Sequence, residues 1–265
     1  MTAVDFTAFV DELADVAGRT ILPFFRTSLR AEDKSRGGAF DPVTEADRAA
    51  ESAMRHLITR TFGNHGIIGE EFGNIRPDAE YVWVLDPIDG TKSFICGCPT
   101  WGTLIGLLHN GVPIYGTMVQ PFTRERFSGD RKMARWRGPG ADHAQIERKL
   151  KTRACAELAE ATVMTTSPLL YPPQELEALK RIESATRLAR YGYDCYAFAM
   201  LASGYVDIVL EAGLQPYDIA PLIPIIEGAG GIVTDWQGNS GAFGGNVIAA
   251  GDKRAHEKAL ALLAG

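Results

Sequence analysis

The stretch WVLDPIDGTKSF, residues 83–94, does most to limit what this chain can become. It is the tail of a short apolar run, residues 81–85, rich in aromatic and β-branched side chains, which reads as a buried strand. The run ends in Asp86, Pro87, Ile88, Asp89 and Gly90. Proline holds the chain extended and removes one backbone donor. Two carboxylates are therefore set at the mouth of a buried strand.

That placement has a chemical meaning. Hard divalent cations bind carboxylate and carbonyl oxygens. Asp86 and Asp89, three apart on a turn, can converge on one point, and the carbonyl of Ile88 can join them. Gly90 and Thr91 offer backbone N–H groups to an anion, and the Thr91 hydroxyl can orient a water. These are the parts of metal-assisted phosphate ester hydrolysis, in which two Mg²⁺ ions about 3.5–4 Å apart activate water and stabilise the leaving oxygen. Further acids are needed to hold two ions. Residues 69–73 (GEEFG) supply Glu70, and residues 216–219 (PYDI) supply Asp218. Each acid also has a plainer reading. Asp86 and Asp89 fit a turn, Glu70 a solvated surface, Asp218 a helix N-cap, and Asp47 the third position of a capping box.

Around this stretch the chain alternates helices and strands. Phe6, Phe9, Val10, Leu13, Val16 and Ala17 repeat at helical spacing, and Pro23 ends or kinks that helix. Residues 35–40 (SRGGAF) read as a flexible loop. Thr44 and Asp47 open a helix with Ala50, Ala53, Met54, Leu57 and Ile58 on one face and a stop at Gly63. Residues 103–108 and 114–119 form a hairpin joined by 109–113, and the basic, turn-rich 131–140 reads as a connection. A second lobe follows. It has strands at 162–166, 206–211, 232–235 and 246–249, and helices at 174–181, around 196–201 and at 253–263. Asp218 opens a further helix that ends near 228–231, with a kink expected at Pro224. The expected fold is a layered α/β arrangement of two lobes, roughly 1–150 and 151–265. The first is rich in antiparallel sheet, and the active site lies between them.

A chain of 265 residues can bury a substantial core. Its net charge of −6 argues against nucleic acid as the main partner. No apolar run is long enough for a membrane span, and acids at 5, 11, 12 and 15 break any signal-peptide core. The cysteines at 96, 98, 155 and 195 fit neither a zinc site nor a disulfide framework, and read as free thiols in the cytoplasm. The histidines have no ligand spacing and read as surface or loop residues.

DPVTEAD (41–47), GEE (69–71), WVLDPIDGT (83–91) and LQPYDIAPLIPIIEGAGG (214–231) together resemble the inositol monophosphatase superfamily of Mg²⁺-dependent phosphatases, over nearly the whole chain. The resemblance implies an αβαβα sandwich and two or three Mg²⁺ ions. It implies metal ligation by Glu70, Asp86, the Ile88 carbonyl, Asp89 and Asp218. Thr91 would position the attacking water, with Asp47 hydrogen-bonded to it, and Glu70 would help deprotonate that water. The Gly90 and Thr91 amides would meet the phosphate. Lys34 matches a family lysine near a third metal, and Glu211 falls where the family contacts its substrate. A homodimer is the family's usual assembly.

DGTKSFI followed by PTWGTLIGL, and RYGYDCYAFAMLASG (190–204), resemble the histidinol-phosphate phosphatase branch. One local departure is Gly-Tyr-Asp-Cys-Tyr where that branch leads one to expect Gly-Gly-Asp-Cys-Tyr. Histidinol phosphate carries a cationic amine, and Asp194 and Glu211 are acids that can pair with it; Asp194 also fits a structural bond at a helix start. The rival expectations are an inositol or other sugar or nucleotide phosphatase of the same superfamily, and a non-catalytic metal-binding regulator. A dinucleotide oxidoreductase is disfavoured, since no G-x-G-x-x-G follows an early strand.

Overall fold

Helical and sheet layers alternate through the molecule, and the buried apolar residues show how. The structure, a computed structural model, describes residues 6–28, 32–33 and 42–265; Lys34 and the 35–40 loop lie outside the described residues. The first helix, α1 (Phe6–Ile21), gives way at Pro23 to a tight turn of helix. Two short strands, β1 (Glu32–Asp33) and β2 (Pro42–Val43), pair antiparallel ahead of α2 (Glu45–Thr61). Next come β3 (Gly66–Gly69), β4 (Gly73–Ile75), β5 (Tyr81–Asp89), the short α3 (Thr91–Ile95), β6 (Gly102–His109), β7 (Val112–Gln120), β8 (Glu125–Gly129), β9 (Ala134–Pro139) and β10 (Gln145–Lys149). The strands β3 to β10 form one sheet in the order β10-β9-β8-β7-β6-β5-β3-β4, antiparallel except between β3 and β5.

The remaining chain runs β11 (Thr162–Thr165), α4 (Pro173–Ala185), β12 (Leu188–Tyr191), α5 (Asp194–Ala202), β13 (Ile208–Leu214), α6 (Pro216–Ile219), α7 (Ile223–Gly228), β14 (Ile232–Asp235), β15 (Gly245–Ala250) and α8 (Lys253–Leu263). Its five strands make a mixed sheet in the order β12-β11-β13-β15-β14. Phe9, Leu13, Met54 and Ile58 of α1 and α2 pack on Trp83, Leu85 and Ile105 of the first sheet. Phe198, Leu201, Ile223 and Ile226 of α5 and α7 fill the space between Leu104 and Met118 on one sheet and Val209 and Val247 on the other. Leu179 and Ile182 of α4 join Ala255 and Ala259 of α8 against the outer face of the second sheet. The order is thus helices, sheet, helices, sheet, helices: the expected mixed α/β sandwich. No helix among the described residues is long and apolar enough to cross a membrane.

Several local expectations change. The 131–140 segment is not a connection but largely strand β9, in which Ala134 and Trp136 are buried while Arg135 faces out. The arginines on its outer face conceal a two-residue alternation. The β6–β7 hairpin closes at Asn110 and Gly111, tighter than the 109–113 loop, because both take positive φ (49° and 76°) as a two-residue turn requires. The helix expected from Asp218 onward is two helices, broken between Ile219 and Ile223. Pro224 causes no interior kink; it lies in the first turn of α7, where its missing N–H removes no helical bond. The histidines do not all lie at the surface. His256 is buried in α8 with Nε2 2.8 Å from Thr234 Oγ1, and His65 accepts a bond from the Trp83 indole at Nδ1.

Candidate active site

The strand β5 does not stop at its apolar run. It continues through Pro87 to Asp89, and two of its residues, Pro87 and Ile88, face Thr103 alone on β6. This is a β-bulge, the usual accommodation of a strand residue that cannot donate to the ladder. Thr103 Oγ1 donates to the Pro87 carbonyl at 2.8 Å and fixes the bulge. The bulge changes the aim of Asp89 relative to Asp86.

Asp218 reaches the same place from the other side of the molecule. It sits on α6, just after β13, and its Oδ2 accepts from the Gln215 N–H at 2.7 Å. One carboxylate oxygen each from Asp86, Asp89 and Asp218 lies within 4.8 Å of the others. Asp86 is buried, and its Oδ1 has no hydrogen-bond partner. Burial first, then the charges of Glu70, Asp89 and Asp218, push the Asp86 pKa well above the ordinary carboxylate range. Asp89 is raised likewise, by burial, Asp194 and Asp218, although the Cys195 N–H at the start of α5 donates to its Oδ2 at 2.6 Å. Neither Asp86 nor Asp89 is ion-paired with a lysine or arginine among the described residues. Converging oxygens, an orphaned buried acceptor and raised pKa values are what a hard cation would relieve.

Glu70 stands at the β3–β4 turn, with its N–H on the Leu85 carbonyl at 3.3 Å and its carboxyl against Asp86. The turn is held by two residues of α2 that reading the sequence missed. Glu51 is fully buried and accepts from Arg55 Nε at 2.6 Å, the Glu71 N–H at 2.8 Å and the Phe72 N–H at 3.2 Å. Arg55 also reaches the Gly73 carbonyl. A Cβ at Gly69 would fall 2.3 Å from the Glu51 carboxylate, so glycine lets the turn close over the pair. The signal was an i,i+4 acid–base pair on α2, which from sequence alone reads as a solvated helix face.

Asp47 occupies the third position of α2. Its Oδ2 accepts from both the N–H (2.9 Å) and the hydroxyl (2.5 Å) of Thr44, completing the expected capping box. Its Oδ1 is buried without a partner, and burial raises its pKa to about 6. Thr91 donates its hydroxyl to the Ile88 carbonyl at 3.0 Å, so the expected Asp47–Thr91 bond is replaced by one within the β5–α3 turn. The Ile88 carbonyl accepts that bond while its side chain is buried. Gly90 takes φ +84°, and a Cβ there would lie 3.0 Å from the Asp194 side chain.

Asp194 itself takes φ +45°, and its Oδ2 accepts from Ser93 Oγ at 2.9 Å. It is brought to the edge of the acid cluster. Glu211 is also near, but it is turned inward. Only 3% exposed, it accepts from the Thr166 N–H at 2.7 Å and hydroxyl at 2.9 Å, and its pKa rises to about 8, chiefly through burial. Lys34 lies outside the described residues.

The comparison with known proteins agrees with this geometry. The model of the inositol monophosphatase family matches residues 3–264. The chain belongs to that family. It is therefore a phosphatase of a generally metal-dependent group, and its acid cluster is of the kind such a group needs. The bifunctional phosphatase IMPL2 of Arabidopsis thaliana, described as chloroplastic, is 44% identical over 96% of this chain and 74% of its own length. A histidinol-phosphatase of Mycobacterium tuberculosis is 35% identical over 89% of this chain and 90% of its own. The solved structure of an inositol monophosphatase from Zymomonas mobilis, 40% identical, superposes with a TM-score of 0.83 and 97% coverage of both chains.

Proposed function

We propose that this phosphatase hydrolyses L-histidinol phosphate to L-histidinol and phosphate, with Mg²⁺ held by Glu70, Asp86, the Ile88 carbonyl, Asp89 and Asp218. The observation that carries the metal assignment is the convergence of Asp86, Asp89 and Asp218, with Asp86 Oδ1 left unsatisfied. The bound cations supply Lewis-acid charge that neutralises phosphate oxygens and makes water acidic.

The chain's own groups do the rest. The Thr91 proton is committed to Ile88, so its oxygen presents lone pairs and accepts a hydrogen bond from a water, fixing that water's orientation. Glu70 is the base beside it. The Gly90 and Thr91 amides take the phosphate, and most of the acceleration is positioning and charge stabilisation. The ammonium of histidinol phosphate pairs with Asp194, the half-buried acid at the rim. Glu211 acts behind it, because its carboxyl is sealed among Thr165 and Thr166. Relatives named histidinol-phosphatase in Chlorobaculum parvum and Mycobacterium tuberculosis support this substrate.

A probable inositol 1-monophosphatase of Mycobacterium tuberculosis, 32% identical, keeps inositol phosphate as the competing substrate. The test is kcat/KM for L-histidinol phosphate and myo-inositol 1-phosphate, side by side in saturating Mg²⁺. The expected preference is about a hundredfold for the former, near 2.7 kcal/mol. Equal or reversed values overturn the substrate assignment. A rate untouched by EDTA overturns the metal assignment.

A further inference from the structure

The end of α3 runs into a turn that carries two thiols, Cys96 and Cys98, on either side of Gly97. Both are exposed, whereas Cys155 and Cys195 are buried. The turn is closely defined. Gly97 takes φ +71°, its N–H donates to the Phe94 carbonyl at 2.9 Å, and the Cys98 N–H donates to the Ser93 carbonyl at 2.9 Å. These paired bonds are those of a helix terminated by a left-handed glycine. Arg26 Nε secures the Gly97 carbonyl at 3.0 Å. A disulfide joins residues whose Cα atoms are about 4.4–6.8 Å apart. Two residues span at most about 7 Å when fully extended. A chain folded back at Gly97 therefore keeps the two Cα atoms inside that span.

The same turn is tied to the acid site. Ser93, whose carbonyl holds Cys98, donates its hydroxyl to Asp194 at 2.9 Å and accepts from Thr100 at 3.1 Å. The Asp194 side chain in turn lies against Gly90. A change in the backbone at Cys98 thus reaches Asp194 through one residue.

We propose that Cys96-Gly97-Cys98 is an oxidation-sensitive site, closed by peroxide into an intrachain disulfide that draws Ser93 away from Asp194 and lowers phosphatase activity. One cysteine sulfur attacks a peroxide oxygen; the O–O bond breaks, giving a sulfenic acid and water. The second sulfur attacks the first, the S–S bond forms, and the hydroxyl leaves as a second water. Two thiols lose two electrons, and one peroxide becomes two waters. A small dithiol reverses the change. The activity arm of the test rests on the family's phosphatase reaction, while the thiol arm does not.

The full chain is treated with hydrogen peroxide under native conditions, and its thiols are counted and mapped by alkylation and mass spectrometry. The expected result is a monomer-mass product lighter by two hydrogens, bridged between Cys96 and Cys98, with Cys155 and Cys195 still alkylatable after unfolding. Activity on a phosphate ester falls about tenfold or more, as displacement of a positioning contact does, and dithiothreitol restores it. The double variant Cys96→Ser/Cys98→Ser keeps the basal rate and resists peroxide. Two free thiols at 96 and 98 after treatment, or a bridge only between chains, overturn the site. A bridge without loss of activity overturns the connection to Asp194. Equal inactivation of the double variant assigns the sensitivity elsewhere and overturns the proposal. An untreated wild type with no activity on the ester, yet bridged by peroxide, would overturn the phosphatase reading and leave the thiol site standing.

Discussion

Glu51 and Asp86 are buried acids on neighbouring elements, and they are treated in opposite ways. Glu51 receives an arginine and two backbone amides, so its charge is fully compensated. Asp86 receives other carboxylates as neighbours and keeps an unpaired oxygen. A charge buried with its partners holds a structure together, whereas one buried among like charges is a cost the fold carries for something else. The two are also joined: the Glu51–Arg55 pair clamps the turn from which Glu70 approaches Asp86. Stability is concentrated in one acid so that others can remain unsatisfied.

The contrast is broken most severely at Asp86. Asp86→Asn should cost several kcal/mol of transition-state stabilisation, about a thousandfold in kcat/KM. Without divalent cations it should leave the melting temperature equal or higher. The sign follows from the raised pKa: the native carboxyl binds its proton more tightly than the unfolded one, so metal-free stability falls as pH rises above the ordinary aspartate range. The variant lacks that loss. A variant that melts lower than wild type in EDTA would mean that Asp86 contributes to the fold after all.

Arg55→Ala attacks the other half. It strands Glu51 with amide partners only, and should cost about 3–5 kcal/mol of stability in chemical denaturation. A loss near zero would show that the Glu71 and Phe72 amides suffice, and that the arginine is dispensable to the clamp.

Glu211→Gln sharpens the comparison with an intermediate case. Glu211 is buried with hydrogen bonds but no cation, and its pKa stands at about 8 against an ordinary 4.5. Its share of stability is present below the unfolded value and is lost as pH rises from about 4.5 through 8. A neutral amide keeps an acceptor for Thr166 and removes that loss. Relative to wild type, the variant's melting temperature should rise between pH 5 and pH 9, by about 2–4 °C for each kcal/mol relieved. Parallel curves would place the titration elsewhere.

The sequence carried the acid cluster because Asp86, Asp89, Gly90 and Thr91 are adjacent and their residue types match one chemistry. The layered α/β class was legible for a similar reason: the periodic segments of α1, α2 and α8 are long. What stayed hidden depends on contacts far along the chain. Glu51 and Arg55 look like a surface pair until the β3–β4 turn covers them. Glu211 looked available because nothing nearby in sequence says that Thr165 and Thr166, two strands of chain earlier, will close over it. The strand β9 was obscured by its own arginines, which occupy its outer positions.

The placement of Asp218 has a consequence for how the protein comes into being. Asp47, Glu70, Asp86 and Asp89 all precede the second sheet, whereas Asp218 follows three of its strands. A growing chain therefore carries crowded acids for nearly half its synthesis without the residue that completes the cluster. Closing so long a loop, with strands paired out of sequence order, is slow. Competence to capture a cation would then be a late event, reached only when the two sheets have docked. A chain cut short before α6 would keep its charge repulsion and have no cluster to relieve it.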